Sequence, residues 1–215
     1  MSRSDVVVID YGMGNLLSVA RALEYCGASV KVTSNSDQIL NAARVVLPGV
    51  GAFANGMSEL SRNGLDVVLM KVADKGTPLL GICLGMQMLL DESEEFGITK
   101  GLGLIPGKVI AVPTNNKFGL TQKVPHIGWN ALIALEEGND WAGSLLQDVK
   151  VGESVYFVHS FMASPKNHLH RIADCLYGDM PISAVIGREN VVGCQFHPEK
   201  RGEVGLKVLR RFLIL

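Results

Sequence analysis

Hydrophobic residues near the start of the chain fall into short unbroken runs, separated by stretches in which they recur every three or four positions. Val6-Val7-Val8-Ile9 is the first run, and four apolar residues without polar alternation predict a strand covered on both faces. The polar turn Asp10-Tyr11-Gly12-Met13-Gly14-Asn15 closes it, and Leu16, Val19, Ala20 and Leu23 then share one helical face. Asn15 is the expected N-cap of that helix and Gly27 its stop. Residues 29–32 predict a second strand. The polar Ser34-Asn35-Ser36-Asp37 opens a short helix ending by Ala42, and Arg44-Val45-Val46-Leu47 predicts a third strand, cut off by Pro48-Gly49-Val50-Gly51. Residues 52–70 have helical spacing with a break at Asn63-Gly64, and Thr77-Pro78-Leu79-Leu80 leads into a fourth buried strand. Strands alternating with helices predict right-handed βαβ units and a parallel sheet.

The pattern changes in the second half. Residues 97–130 are rich in Gly, Pro and Asn and predict loops with short strands. Residues 131–135, 154–159, 172–176, 182–186 and 191–196 then predict strands with no long helix between them, hence antiparallel additions. Val204, Leu206, Val208, Leu209 and Phe212 return to helical spacing. The expected fold is a three-layer α/β domain spanning residues 1–215: a mainly parallel central sheet with antiparallel additions and helices on both faces.

Composition narrows the function. Of 215 residues, 47% are hydrophobic, enough for a well-filled core, and a net charge of -1 argues against a nucleic-acid footprint. No run approaches the roughly 18–20 apolar residues of a membrane span, and four apolar residues before Asp10 are too few for a signal-peptide core. A cytoplasmic location is therefore expected. Cys26, Cys83, Cys175 and Cys194 are scattered without a CxxC pair, which fits reduced thiols. Cys194 and His197 would point to opposite faces of a strand, so no metal site is expected. Gly12-Met13-Gly14 lacks the third small residue of a dinucleotide-binding loop, because Leu17 stands there, and no cofactor is expected.

One turn carries candidate chemistry. Gly81-Ile82-Cys83-Leu84-Gly85 lies between the fourth strand and the helical Met86-Gln87-Met88-Leu89-Leu90. That is the form of a nucleophile elbow, in which glycines permit a tight turn that lifts the central side chain above the sheet. A helix N-terminus beneath the sulfur would favour its thiolate. Near the other end, Gln195-Phe196-His197-Pro198-Glu199 places a histidine where a strand ends, with a carboxylate two positions on that could orient its ring. Parallel strands bring their C-terminal ends to one edge, so Cys83, His197 and Glu199 could act as nucleophile, base and orienter. The loop Pro48-Gly49-Val50-Gly51 and the Leu84 N–H could supply donors for a developing oxyanion.

Gly-Ile-Cys-Leu-Gly-Met-Gln paired with Phe-His-Pro-Glu resembles the class I, triad-type glutamine amidotransferases, which release ammonia from the glutamine amide through a thioester. Asp10-Tyr11-Gly12-Met13-Gly14-Asn15, Leu47-Pro48-Gly49-Val50-Gly51-Ala52-Phe53, Pro125-His126-Ile127-Gly128-Trp129-Asn130, Tyr156-Phe157-Val158-His159-Ser160 and Phe196-His197-Pro198-Glu199-Lys200 resemble more specifically the histidine-biosynthesis branch of that family. The resemblance implies Cys83, His197 and Glu199 as the triad. It implies Val50, after a peptide flip that its flanking glycines permit, and Leu84 as oxyanion donors, with Gly51, Gln87, His159, Ser160 and Phe161 holding L-glutamine. Asn15, Trp129 and Lys200 would meet a (β/α)8-barrel cyclase or synthase subunit that consumes the ammonia within a heterodimer.

Phe161 and Met162 depart from the branch, which usually has a tyrosine after His-Ser, and Arg201 replaces a small residue after Glu-Lys. Gly193-Cys194-Gln195-Phe196 also resembles members that serve a cyclase-like synthetase aminating a cell-surface sugar, so two acceptors stay open. The non-amidotransferase readings are a non-catalytic scaffold, against which the intact Cys83, His197 and Glu199 weigh, and a stand-alone cysteine hydrolase. The chain holds no phosphate-binding P-loop and few residues beyond the glutaminase sheet, so acceptor chemistry is expected on another chain.

Overall fold

The computed structural model describes residues 5–116, 118–135, 141–200 and 202–215. The first half follows the alternation of buried runs and amphipathic segments: β1 (Asp5–Ile9), α1 (Leu16–Tyr25), β2 (Ser29–Thr33), α2 (Ser36–Leu40), β3 (Arg44–Gly49), α3 (Phe53–Arg62), α4 (Leu65–Asp74), β4 (Leu79–Cys83) and α5 (Leu84–Met88). The break expected at Asn63-Gly64 separates α3 from α4, with Gly64 at φ 65°. Asn35 caps α2 by accepting from the Gln38 N–H at 3.0 Å. Asn15 occupies the N-cap position of α1, but its side chain makes no capping bond and is exposed.

Beyond α5 come β5 (Leu90–Ser93), β6 (Thr99–Lys100), β7 (Ile105–Ala111), β8 (His126–Ala131), β9 (Ser154–His159), β10 (Phe161–Pro165), β11 (Arg171–Tyr177), β12 (Met180–Arg188), β13 (Val191–Cys194) and α6 (Glu203–Phe212). The central sheet runs β11-β12-β13-β4-β3-β1-β2. Its β13-β4-β3-β1-β2 part is parallel, and β11 and β12 are added antiparallel.

The two faces of this sheet explain the unbroken apolar runs. Val6 and Val8 join a core with Val19 and Leu23 of α1 and with Val208, Leu209 and Phe212 of α6. Their neighbours Val7 and Ile9 point the other way, into a core with Ile39, Phe53, Leu60, Leu65 and Leu69 of α2, α3 and α4. A strand sandwiched between helices has no wet face, so period-two polarity disappears. The three layers expected from the sequence are present.

Three expectations change. The helix expected over residues 86–90 is α5, which runs from Leu84 and ends at Met88, and Leu90 already opens β5. Residues 132–135 are not a strand: β8 ends at Ala131, and Ile133 makes only an isolated bridge to Asp174. Residues 195 and 196 also fall outside β13, which ends at Cys194. His197 therefore sits beyond the strand rather than on it, and the opposite-face argument about Cys194 and His197 does not apply. Two smaller sheets, β10-β7-β5-β6 and the β8-β9 hairpin, lie beside the main one. The hairpin matters for the site because the Tyr156 carbonyl of β9 accepts the His197 N–H at 3.0 Å.

Candidate active site

Three neighbouring strands deliver the site. Gly49 at the end of β3 pairs with Cys83 at the end of β4, and Cys194 at the end of β13 pairs with Ile82. Cys83 stands at φ 54° and ψ −111° between β4 and α5. A non-glycine residue with positive φ is strained, and such strain is held at functional turns by the packing around it. The flanking glycines do not themselves take the positive φ. They are needed for close approach: a Cβ on Gly85 would lie 1.8 Å from the Leu47 carbonyl oxygen, and one on Gly81 would lie 2.7 Å from the Gly85 carbonyl oxygen. The one-turn helix α5 thus lies flat on β3 and β4, and the strain is concentrated on the cysteine.

His197 Nδ1 and Glu199 Oε1 are 2.8 Å apart, with both side chains buried. The other ring nitrogen, Nε2, makes no hydrogen bond at rest, and His197 lines the same cavity as Cys83. Burial opposes a charge on this ring, but Cys83 and Glu199 outweigh it and raise the pKa to about 10. A sulfur near an imidazolium backed by a carboxylate is set up for nucleophilic attack, with proton return to the leaving group.

The other thiols are placed differently. Burial is the leading cause that pushes Cys26 upward, Cys175 to about 12 and Cys194 well above the usual range, so none has the surroundings of a reactive thiolate.

A cavity of about 260 Å³ opens over the sulfur. It is lined by Cys83, His197, Val50, Leu84, Gly51, Gln87, His159, Ser160 and Phe161, and also by Glu95 and Val158. The residues expected as nucleophile, base, oxyanion donors and substrate holders therefore share one wall system, with Glu199 behind His197. Tyr11 braces the loop: it is buried, donates to the Pro48 carbonyl at 2.9 Å and stands against Gly49. Gly51 takes φ 100°, a conformation in which glycine is unstrained.

The expected substrate holders do different things at rest. Both nitrogens of His159 are engaged, Nδ1 with the Phe161 carbonyl at 2.8 Å and Nε2 with His126 Nδ1 at 3.0 Å. Its ring, rather than a free ring nitrogen, faces the cavity. Gln87 Nε2 donates to the Phe161 carbonyl and to Gln195 Oε1, each at 2.9 Å.

Sequence reasoning missed Glu95. Its carboxylate accepts the Phe53 N–H at 2.6 Å, which supplies α3 with a cap that Ala52 at the N-cap position does not. In the sequence, Glu94-Glu95 is indistinguishable from a solvated acidic pair. Only the tertiary fold brings the turn after β5, and Glu95 with it, to the start of α3 and the cavity.

Of the residues expected to meet a partner, Trp129 is 56% exposed, packs edge-on to Tyr156 and is no core aromatic. Lys200 Nζ lies 5.8 Å above the same Tyr156 ring. Ile127, Leu17 and Val50 are also exposed. Arg201 lies outside the described residues. Among the described residues no group of three or more His, Cys, Asp or Glu could hold a metal ion, and no helix is long and apolar enough to cross a membrane.

Comparison with known proteins agrees with this geometry. The family model "Glutamine amidotransferase class-I" matches residues 7–215. The chain is 53% identical over 210 residues to imidazole glycerol phosphate synthase subunit HisH 1 of Legionella pneumophila (strain Lens), covering 98% of this chain and 99% of the relative. It is 44% identical over 205 residues to subunit HisH of the same synthase from Geobacillus sp. (strain WCH70), covering 95% and 94%. Among solved structures, PurLQS from Thermotoga maritima superposes with a TM-score of 0.71 at 20% identity, covering 99% of this chain and 98% of that one, a likeness of fold alone. The chain belongs to the class I glutamine amidotransferase family.

Proposed function

We propose that this chain is the glutaminase subunit of an imidazole glycerol phosphate synthase: it hydrolyses L-glutamine through a Cys83 thioester and passes the ammonia to a (β/α)8-barrel cyclase subunit in histidine biosynthesis. The observation that carries the reading is the 260 Å³ cavity in which Cys83, His197 and the Val50-Gly51 loop meet. The sulfur attacks the side-chain amide carbon of glutamine, and the carbonyl oxygen becomes an oxyanion that accepts from the Leu84 N–H and, after a flip of its peptide, the Val50 N–H. His197 Nε2 gives its proton to the departing nitrogen, which leaves as ammonia, while Glu199 holds the ring through Nδ1. Water then attacks the thioester carbon, His197 takes its proton, and glutamate and the thiolate are regenerated. The Glu95 carboxylate, on the cavity wall, suits the substrate's α-ammonium group.

Trp129, Lys200 and Asn15 are exposed, which suits a role in docking the partner. Ammonia crossing bulk water would be protonated, so the receiving site needs a closed path. The relatives named as HisH subunits favour the histidine-pathway acceptor over a surface sugar.

In the purified two-subunit complex, Cys83→Ala is expected to abolish glutamine-dependent synthesis while ammonia-dependent synthesis persists. Glutamine-dependent turnover surviving in that variant would overturn the mechanism.

A further inference from the structure

Gln195 is fully buried just beyond β13, and its N–H is bonded to the Ala184 carbonyl at 2.9 Å. Its side chain bridges two residues of the site. Oε1 accepts from Gln87 Nε2 at 2.9 Å, and Nε2 lies 3.7 Å from Cys83 Sγ.

Which end of the amide faces the sulfur is decided by its neighbours. The Phe161 carbonyl, which can only accept, faces Gln87 at 2.9 Å, so that end of Gln87 is its NH2 group. The same NH2 faces Gln195, which must present oxygen there and nitrogen to the sulfur.

The Phe161 carbonyl is held from its other side by a second chain of bonds whose direction is equally determined. Asn130 Oδ1 accepts from the Ala131 N–H at 2.8 Å and Nδ2 donates to the Leu176 carbonyl at 2.7 Å, which orients that amide. Nδ2 also lies 3.3 Å from His126 Nε2, which must therefore accept. His126 then carries its proton on Nδ1 and donates to His159 Nε2 at 3.0 Å. His159 in turn carries its proton on Nδ1 and donates to the Phe161 carbonyl at 2.8 Å. Burial lowers both rings to a pKa of about 4, so both are neutral at pH 7.

We propose that Gln195 is a further catalytic residue: its side-chain N–H donates to the Cys83 sulfur and stabilises the thiolate, with Gln87 and the Asn130, His126, His159 series as positioning residues. The proposal rests on the glutaminase reading of Cys83 as nucleophile. His197, backed by Glu199, also faces the sulfur, as do Tyr11 and Cys194. His197 supplies the cation. Burial keeps Tyr11 and Cys194 protonated, and each directs its proton elsewhere, Tyr11 to the Pro48 carbonyl at 2.9 Å and Cys194 to the Phe196 carbonyl at 3.6 Å, which leaves Gln195 as the neutral side-chain donor bonded to Sγ.

The test needs neither substrate nor partner. Alkylation of Cys83 by iodoacetamide in the full chain is followed against pH by mass spectrometry of the Cys83 peptide, with circular dichroism reporting folding. Gln195→Met is expected to move the midpoint up by about one pH unit, because a hydrogen bond to a charged acceptor is lost. Gln195→Glu is expected to move it further, because a carboxylate then stands beside the thiolate. A wild-type midpoint in both folded variants overturns the proposal.

Should the variants not fold, the side-chain amide signals of 15N-labelled Gln195 in the wild type decide. A shift tracking the alkylation midpoint supports donation to the sulfur, and invariance refutes it. A wild-type Cys83 that reacts no faster than Cys26 sinks the glutaminase reading and this proposal together. Fast wild-type reaction with unchanged variants sinks this proposal alone.

Discussion

The paired rings of His126 and His159 should make the fold sensitive to mild acid, and the amount can be worked out. In the unfolded chain a histidine titrates near 6.5. Burial lowers both rings to about 4 in the fold. Between these values the unfolded chain binds protons that the fold does not, so stability falls as the pH drops from about 6.5 toward 4. Integrated from pH 7 to pH 5, each ring accounts for a loss of about 2 kcal/mol, or about 4 kcal/mol for the two. His197, raised to about 10, stays protonated in the fold while the unfolded chain takes up its proton through about 6.5, so between pH 7 and pH 5 it offsets about 1 kcal/mol of that loss.

The perturbation that isolates the effect is His126→Phe. It keeps an aromatic ring in the stacks with Phe157, at 4.9 Å, and Tyr177, at 4.1 Å. It removes one of the two titrating groups. At pH 7 the variant should be less stable by about 1–3 kcal/mol, because His159 Nε2 loses its partner in a buried position. Between pH 7 and pH 5, guanidinium unfolding should then show a histidine-linked loss of about 1 kcal/mol against about 3 kcal/mol in the wild type, with the His197 and carboxylate contributions common to both proteins. Equal losses in the two proteins would refute the assignment of buried neutral rings.

Three further outcomes are expected. Glu199→Gln removes the carboxylate charge behind His197, and glutaminase kcat in the complex should fall about 10–100-fold while ammonia-dependent synthesis is unchanged; a fall under about threefold would mean that the carboxylate is dispensable. Gly85→Ala drives a Cβ into the Leu47 carbonyl, and denaturant unfolding should show a loss of about 3 kcal/mol or more. Wild-type stability there would mean that α5 can leave β3 freely. Trp129→Ala should leave the melting temperature of the isolated chain nearly unchanged but weaken partner binding by about 2 kcal/mol, roughly thirtyfold in Kd by calorimetry. Unchanged affinity would place the interface elsewhere.

Much of the architecture was legible because burial on two faces leaves a trace in one dimension. Val6-Val7-Val8-Ile9 and Val45-Val46-Leu47 have no polar alternation because helices cover both sides of β1 and β3. The break at Asn63-Gly64 and the Cys83 elbow were readable for a similar local reason: glycines mark turns and close approaches whatever surrounds them. Where backbone pairing decides, the sequence was silent. Residues 132–135 are apolar enough for a strand, yet the β8-β9 register ends opposite Ser154, and Ile133 is left with a single bridge to Asp174.

The sequence by itself determined which chemical groups the site would hold: a cysteine in a tight turn, and a histidine with a carboxylate two residues on. Only the tertiary structure decided their working arrangement. Residues 49, 83 and 194 lie far apart in the chain and become neighbours through strand pairing, and that places the positive φ on Cys83 and brings His197 to its sulfur. Glu95 reaches the cavity across a fold that no local pattern encodes. The directions of the Gln87, Gln195 and Asn130 amides and of the two histidine tautomers are set by backbone carbonyls and N–H groups from other strands. Residue type states what a side chain can donate or accept, and only its neighbours in three dimensions determine which it does.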